Sequence, residues 1–132
     1  IIKPVFDVYQ TLINVDERKN WMLGVDKIDR DPVTERIGMK HNCQFMGMTM
    51  INTCLHHEYS EKSATYVERV EVPEMALDTV DIYTITDKGE GITYLNFNIN
   101  WEETPLPDEN KQAMLQGIKS NLESLKSYVE GK

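Results

Sequence analysis

The chain's clearest candidates for chemistry are its three histidines and two cysteines, which stand at His41, Cys43, Cys54, His56 and His57. Zinc takes His and Cys ligands in tetrahedral array, and one of two strand registers considered below gathers His41, Cys43, Cys54 and His56 on one surface. The spacing is poor for a metal all the same. There is no C-x-x-C or H-x-x-x-H pattern, and the adjacent His56 and His57 point to opposite faces of a strand. A nucleophilic pair of Cys43 with His41 would need the thiol within reach of the base, but residues i and i+2 of a strand stand roughly 7 Å apart. If the chain is an enzyme, His41 is the side chain best suited to acid or base work. Paired carboxylates would have to be drawn from Glu58, Glu68 or Asp81, and all three read more simply as solvent-facing strand residues. The sequence holds no P-loop, no G-x-G-x-x-G and no G-x-S-x-G, and Gly89 and Gly91 flank a turn. No metal and no cofactor is expected.

These residues must be positioned by the elements around them. Val5, Val8, Tyr9 and Leu12 recur at helical spacing behind Pro4, which suits the first helical position. Asn14 can cap a second brief helical turn that delivers Trp21 and the Gly24 exit. From there β-branched and aromatic residues predict six strands, over 25–30, 37–46, 49–59, 64–72, 77–86 and 92–102. The turn signals between them leave connections of about 2 to 6 residues, which join antiparallel neighbours and exclude parallel crossovers. Beyond Pro105 and Pro107, Asp108 is placed to cap a long helix with a single apolar stripe of Met114, Ile118, Leu122, Leu125 and Val129. The expected fold is α+β: two short N-terminal helices, a curved antiparallel sheet and a long C-terminal helix lying across one face of it.

Alternation assigns the faces of the strands. In the last strand Leu95, Phe97, Ile99 and Trp101 alternate with Tyr94, Asn96, Asn98 and Asn100, so the odd set should face the helix. In the second, Met39, His41, Cys43 and Phe45 should do the same. The third strand depends on the turn at Gly47. A two-residue Gly47-Met48 turn puts Met50, Asn52, Cys54 and His56 inside; one further loop residue puts Ile51, Thr53, Leu55 and His57 there instead, because a one-residue slip exchanges the faces. Hydrophobicity favours the second register.

Composition narrows the possible partners. Lys and Arg number 14 against 22 Asp and Glu, a net charge of −8, and no basic run exists to neutralise phosphates. Nucleic acid is therefore not expected as a partner, nor an anionic membrane surface. No apolar run approaches the roughly 20 residues that span a bilayer. Two cysteines and no glycosylation sequon argue against a secreted, disulfide-stapled protein, so a cytoplasmic protein is expected. The start at Ile1, with Pro4 so near the first helix, suggests that the segment begins inside a longer gene product.

The order of elements resembles the helix-grip fold of the Bet v 1-like, START-related SRPBCC superfamily, over essentially the whole chain. At residue level Val5-Phe6-Asp7-Val8, Leu12, Asn14 and Trp21-Met22-Leu23-Gly24-Val25, followed by Ile37-Gly38-Met39-Lys40-His41, are similar to the polyketide cyclase/dehydrase-like branch. The resemblance implies a strand before Pro4, for which only Ile1, Ile2 and Lys3 remain. Without it, open sheet edges could pair two copies into a homodimer. It also implies a cavity between sheet and C-terminal helix, with Trp21 at its mouth.

A mostly apolar cavity with a few polar groups, such as His41 and Tyr66, suits a small hydrophobic, lipid- or polyketide-like ligand. Its expected lining is Trp21, Met39, His41, Cys43, Phe45 and Ile51, then Leu55, Tyr66, Leu95, Phe97, Ile99, Met114 and Ile118. Two alternatives stand beside binding. One is a cyclase or dehydratase acting on a polyketide; the other is a regulatory or interaction module of a larger signalling protein, such as a nucleotide-cyclase-like one.

Overall fold

The structure, a computed structural model, describes residues 1–29, 37–38, 40–45, 47–100 and 107–132. Helix α1 spans Val5–Ile13, and Pro4 stands at its N-cap, one residue earlier than the sequence suggests. A 3-10 turn, Val15–Glu17, leads into the single turn of α2, Arg18–Trp21. Six strands follow: β1 Val25–Asp29, β2 Lys40–Phe45, β3 Met48–Tyr59, β4 Ser63–Val72, β5 Leu77–Gly89 and β6 Ile92–Asn100. They form one antiparallel sheet in sequence order, β1 to β6. Helix α3, Asp108–Glu130, closes the chain; Pro107 holds the cap position, so Asp108 is the first helical residue and supplies negative charge to the first turn. The fold is α+β, a helix-grip arrangement of curved sheet and long C-terminal helix.

The inner face of the sheet is built in cross-strand rows. Tyr66 of β4 lies opposite Tyr83 of β5, which lies opposite Phe97 of β6, and the next row runs Glu68, Asp81, Ile99. The odd residues of β6 thus take the inner face, as its alternation predicts. His41 and Cys43 of β2 are buried as well. Met39 and Trp101 lie outside the described residues, and the side chain of Phe45 lies outside the description too.

The third strand departs from the favoured register. The turn at Gly47 comes one residue earlier than the two-residue alternative places it: Phe45 pairs with Met48, Cys43 with Met50 and His41 with Asn52. Met50, Asn52 and Cys54 therefore face inward, while Ile51 is only half-buried and Leu55 is exposed. Hydrophobicity misleads here because Ile51 and Leu55 sit on the outer face, where single apolar side chains are commonplace. A β-bulge between Cys54 and His56 then reverses the alternation. His57 comes to lie opposite Tyr66 and shares a hydrogen bond of 3.2 Å between its Nδ1 and the Tyr9 hydroxyl. His56 is turned outward beside Glu58. The first alternative's inward set thus holds at Met50, Asn52 and Cys54, and the second's only at His57.

The core has two parts. Val8, Leu12 and Trp21 of the N-terminal helices meet Tyr66, Tyr83 and Ile85 of the sheet and Leu125 and Val129 of α3. A second group, Val25, Cys43, Met50, Val70, Val72 and Leu77, lies toward the other end. The C-terminal end of α3 is tied to the N-terminal helices by side-chain hydrogen bonds, while Met114 in its N-terminal half packs against the second core group. Asn20 donates to the Tyr128 hydroxyl, Tyr128 donates to Glu17, and Lys132 reaches both Glu17 and Thr11. Ile1 exchanges two backbone hydrogen bonds with Thr93 of β6, one of the two edge strands. Among the described residues no helix is long and apolar enough to cross a membrane.

Candidate functional site

The stripe of α3 changes character along its length. Leu125 and Val129 are fully buried, but Met114, Ile118 and Leu122 are only half-buried. The reason is a cavity of about 840 Å³ between the N-terminal half of α3 and the sheet. Met114, Gly117, Ile118 and Leu122 form its helix side, and Trp21 to Gly24 form one wall. Met48, Met50, Val70, Val72, Leu77, Phe97 and Ile99 supply most of its sheet side. At one wall the Leu23 amide donates to Asn121 Oδ1 at 2.9 Å, tying α3 to the loop after Trp21.

Five of the residues expected from sequence line this space: Trp21, Phe97, Ile99, Met114 and Ile118. Tyr66 and Leu95 take the inner face beside it, packed in the core. His41 is 3% exposed and Cys43 fully buried, and neither borders the cavity. Burial pushes the Cys43 thiol up to about 11, so it stays protonated and is a poor nucleophile. Ile51 and Leu55 are outside the lining because of the register described above. The cluster His41, Cys43, Cys54, His56 does not assemble, since the bulge sends His56 to the outer face.

Sequence reading missed the polar end of the cavity. Glu68 and Asp81, expected in solvent, stand directly opposite each other on β4 and β5 and both line the cavity; Glu58 is exposed as expected. Glu68 is 1% exposed and is held by Arg18, whose Nη1 lies 2.8 Å from Oε1. Tyr66 completes the triad: its hydroxyl accepts from Arg18 Nη2 at 3.0 Å and donates to Glu68 Oε2 at 3.1 Å. Burial alone would lower the Arg18 pKa, but Glu68 and Tyr66 beside it raise it well above the ordinary value, so its charge is fixed.

Asp81 has no such cation in contact among the described residues. Its hydrogen-bond partner there is the Thr79 hydroxyl, which donates to Oδ1 at 3.0 Å. Burial, reinforced by the negative charge of Glu68, pushes Asp81 up to about 7. Burial and the same two carboxylates raise Tyr83, on the cavity wall, well above its usual value.

A signal for this end was present in the sequence. Along β4 the inward set is Ala64, Tyr66, Glu68, Val70, Val72, and along β5 it is Leu77, Thr79, Asp81, Tyr83, Ile85. A lone charge inside each apolar alternation requires a partner or a purpose.

Two further polar atoms on the wall have no hydrogen-bond partner among the described residues. Asn52 donates through Nδ2 to Cys43 Sγ at 3.5 Å, while its buried Oδ1 has no hydrogen-bond partner. The indole Nε1 of Trp21 is likewise buried without one. The site is therefore an apolar chamber with a carboxyl-bearing end, able to hold a hydrophobic body and to exchange a proton or a hydrogen bond with a polar group attached to it.

Comparison with known proteins finds the fold and no more. No family model matches the chain, and no curated protein matches it. Among solved structures, hypothetical protein jhp0584 from Helicobacter pylori superposes with a TM-score of 0.74 at 11% identity, covering 95% of this chain and 80% of its own. Protein MLL2253 from Mesorhizobium loti gives 0.72 at 18% identity over 100% of this chain and 93% of its own. Protein CV1439 from Chromobacterium violaceum gives 0.66 at 16% identity, with 98% and 92% covered. The chain is similar to all three along nearly its whole length, and what it shares with them is the sheet and its C-terminal helix.

Proposed function

We propose that the protein binds a small hydrophobic ligand, lipid-like or polyketide-like in character, between the sheet and α3, in keeping with its resemblance to the SRPBCC superfamily. The observation that carries this reading is the cavity of about 840 Å³, which falls in the range of small-molecule sites. Its lining supports the same view. Met48, Met50, Met75 and Met114 give it flexible, polarisable walls that adapt to ligand shape. The N-terminal half of α3 has a half-buried apolar stripe that a ligand would finish covering.

Titration with Nile red, an uncharged solvatochromic dye, tests the reading. Saturable 1:1 binding with a blue-shifted emission is expected. Emission that rises without saturating, or stays at its value in water, would refute it.

One observation favours catalysis as a second reading. A carboxyl group with a pKa near 7 at the end of an apolar chamber is matched to acid or base work at neutral pH. In that reading the cyclase- or dehydratase-like role passes from His41 to Asp81, because His41 does not border the cavity.

A further inference from the structure

Among the described residues that line the cavity, Glu68 and Asp81 are the only ones that carry charge, and both are acids. Those on α3, from Asn110 to Leu122, are uncharged, as are Trp21 to Gly24. The two carboxylates are not equivalent. Arg18 already neutralises Glu68 across 2.8 Å, whereas Asp81 is left with the Thr79 hydroxyl. When Asp81 ionises, this end of the chamber therefore holds one negative charge in excess, in a setting where an unpaired charge is costly. One row along the same wall, buried Asn52 Oδ1 is an acceptor with no hydrogen-bond partner among the described residues.

We propose that the cavity selects an amphiphile with an apolar body and a primary ammonium head, the head seated at the Glu68–Asp81 pair. The inference rests on the ligand-binding reading above and deepens it. An ammonium supplies the positive charge that Asp81 lacks, and it carries three hydrogen-bond donors and no acceptor. That matches an end rich in acceptors. A carboxylate head would bring a third negative charge against Asp81 and Glu68, so a fatty acid is the wrong ligand despite the suitable chamber. An alcohol satisfies part of the hydrogen bonding and none of the charge. Specificity then arises largely from what the site rejects.

Displacement of Nile red by three ligands of one chain length, decylamine, decanol and decanoate, tests this at pH 8, above the pKa of Asp81. Decylamine is expected to displace the dye at a concentration at least tenfold lower than decanoate, with decanol between them. Asp81→Asn keeps the shape of the side chain and its bond from Thr79. It should weaken decylamine at least tenfold and leave decanol within threefold of the wild type, so that decanol also reports an intact cavity. Decanoate binding as tightly as decylamine, or Asp81→Asn weakening all three ligands alike or none, would overturn the ammonium proposal while the cavity reading stands. Failure of Nile red itself to bind would overturn both.

Discussion

Replacing Arg18 with methionine should destabilise the protein by about 3–5 kcal/mol, the largest loss anticipated from any single polar substitution here. The cause is the charge left behind. Glu68 is 1% exposed, and its Oε1 would face the apolar methionine in place of the guanidinium that now lies at 2.8 Å. The Tyr66 hydroxyl would keep its donation to Oε2 but lose the guanidinium it accepts from. In a thermal melt such a loss corresponds to a fall on the order of 10–20 °C for a domain of this size. The double variant Arg18→Met with Glu68→Leu removes both charges together and should recover most of the stability, because well-packed apolar residues commonly replace a buried ion pair at little cost. Denaturant unfolding of the two variants checks the account. If the double variant is as unstable as Arg18→Met alone, the loss lies in packing around α2 and the ion pair is not its source.

The second large effect belongs to Asp81 and depends on pH. Its folded-state pKa is about 7, against an ordinary 3.8. Between those values the native state binds a proton that the unfolded chain does not. The stability this contributes is fully present below about pH 4 and is lost as pH rises through 7. Asp81→Asn carries no titrating group, so the variant should match the wild type near pH 4 and become progressively more stable than it toward pH 8. A shift of this size corresponds to about 2–4 kcal/mol at the upper end, with water in the cavity screening part of it. Subtracting the two pH profiles of unfolding free energy cancels the other carboxylates. A difference that stays flat from pH 4 to pH 8 would show that Asp81 is not held in the environment described.

The fold was legible because its periodicities are strong. The alternation of Leu95, Phe97 and Ile99 with Tyr94, Asn96 and Asn98 gives both the strand and its inner face. The stripe on α3 likewise gives the helix and the side that meets the sheet. What could not be read was local geometry that changes parity. The bulge after Cys54 reverses the face of every later residue in β3, and nothing in Cys54-Leu55-His56-His57 marks the extra residue. The tight Gly47 turn decided the earlier half of the same strand.

The chemistry of the site was hidden for a different reason. Glu68 and Asp81 look like surface residues because carboxylates usually are, and the cation that allows Glu68 inside is Arg18, fifty residues earlier on a single helical turn. Long-range pairing of this kind leaves no local trace. The inward position of both acids did leave one, in the alternation of β4 and β5.

The central claim is that the space under the N-terminal half of α3 is where the ligand goes. Gly117 offers the most direct test, because it lines the cavity and a Cβ added there meets nothing within 4 Å. Introducing Ala113→Leu together with Gly117→Leu sets two side chains one turn apart over the chamber and replaces a helix-interior glycine. Helix propensity alone should raise stability by about 0.5 kcal/mol, the gain at Gly117 outweighing a small cost at Ala113. Nile red affinity of this variant, measured beside its unfolding free energy, should fall at least tenfold while stability rises. Undiminished dye binding in a variant that has become more stable would place the ligand elsewhere and contradict the account.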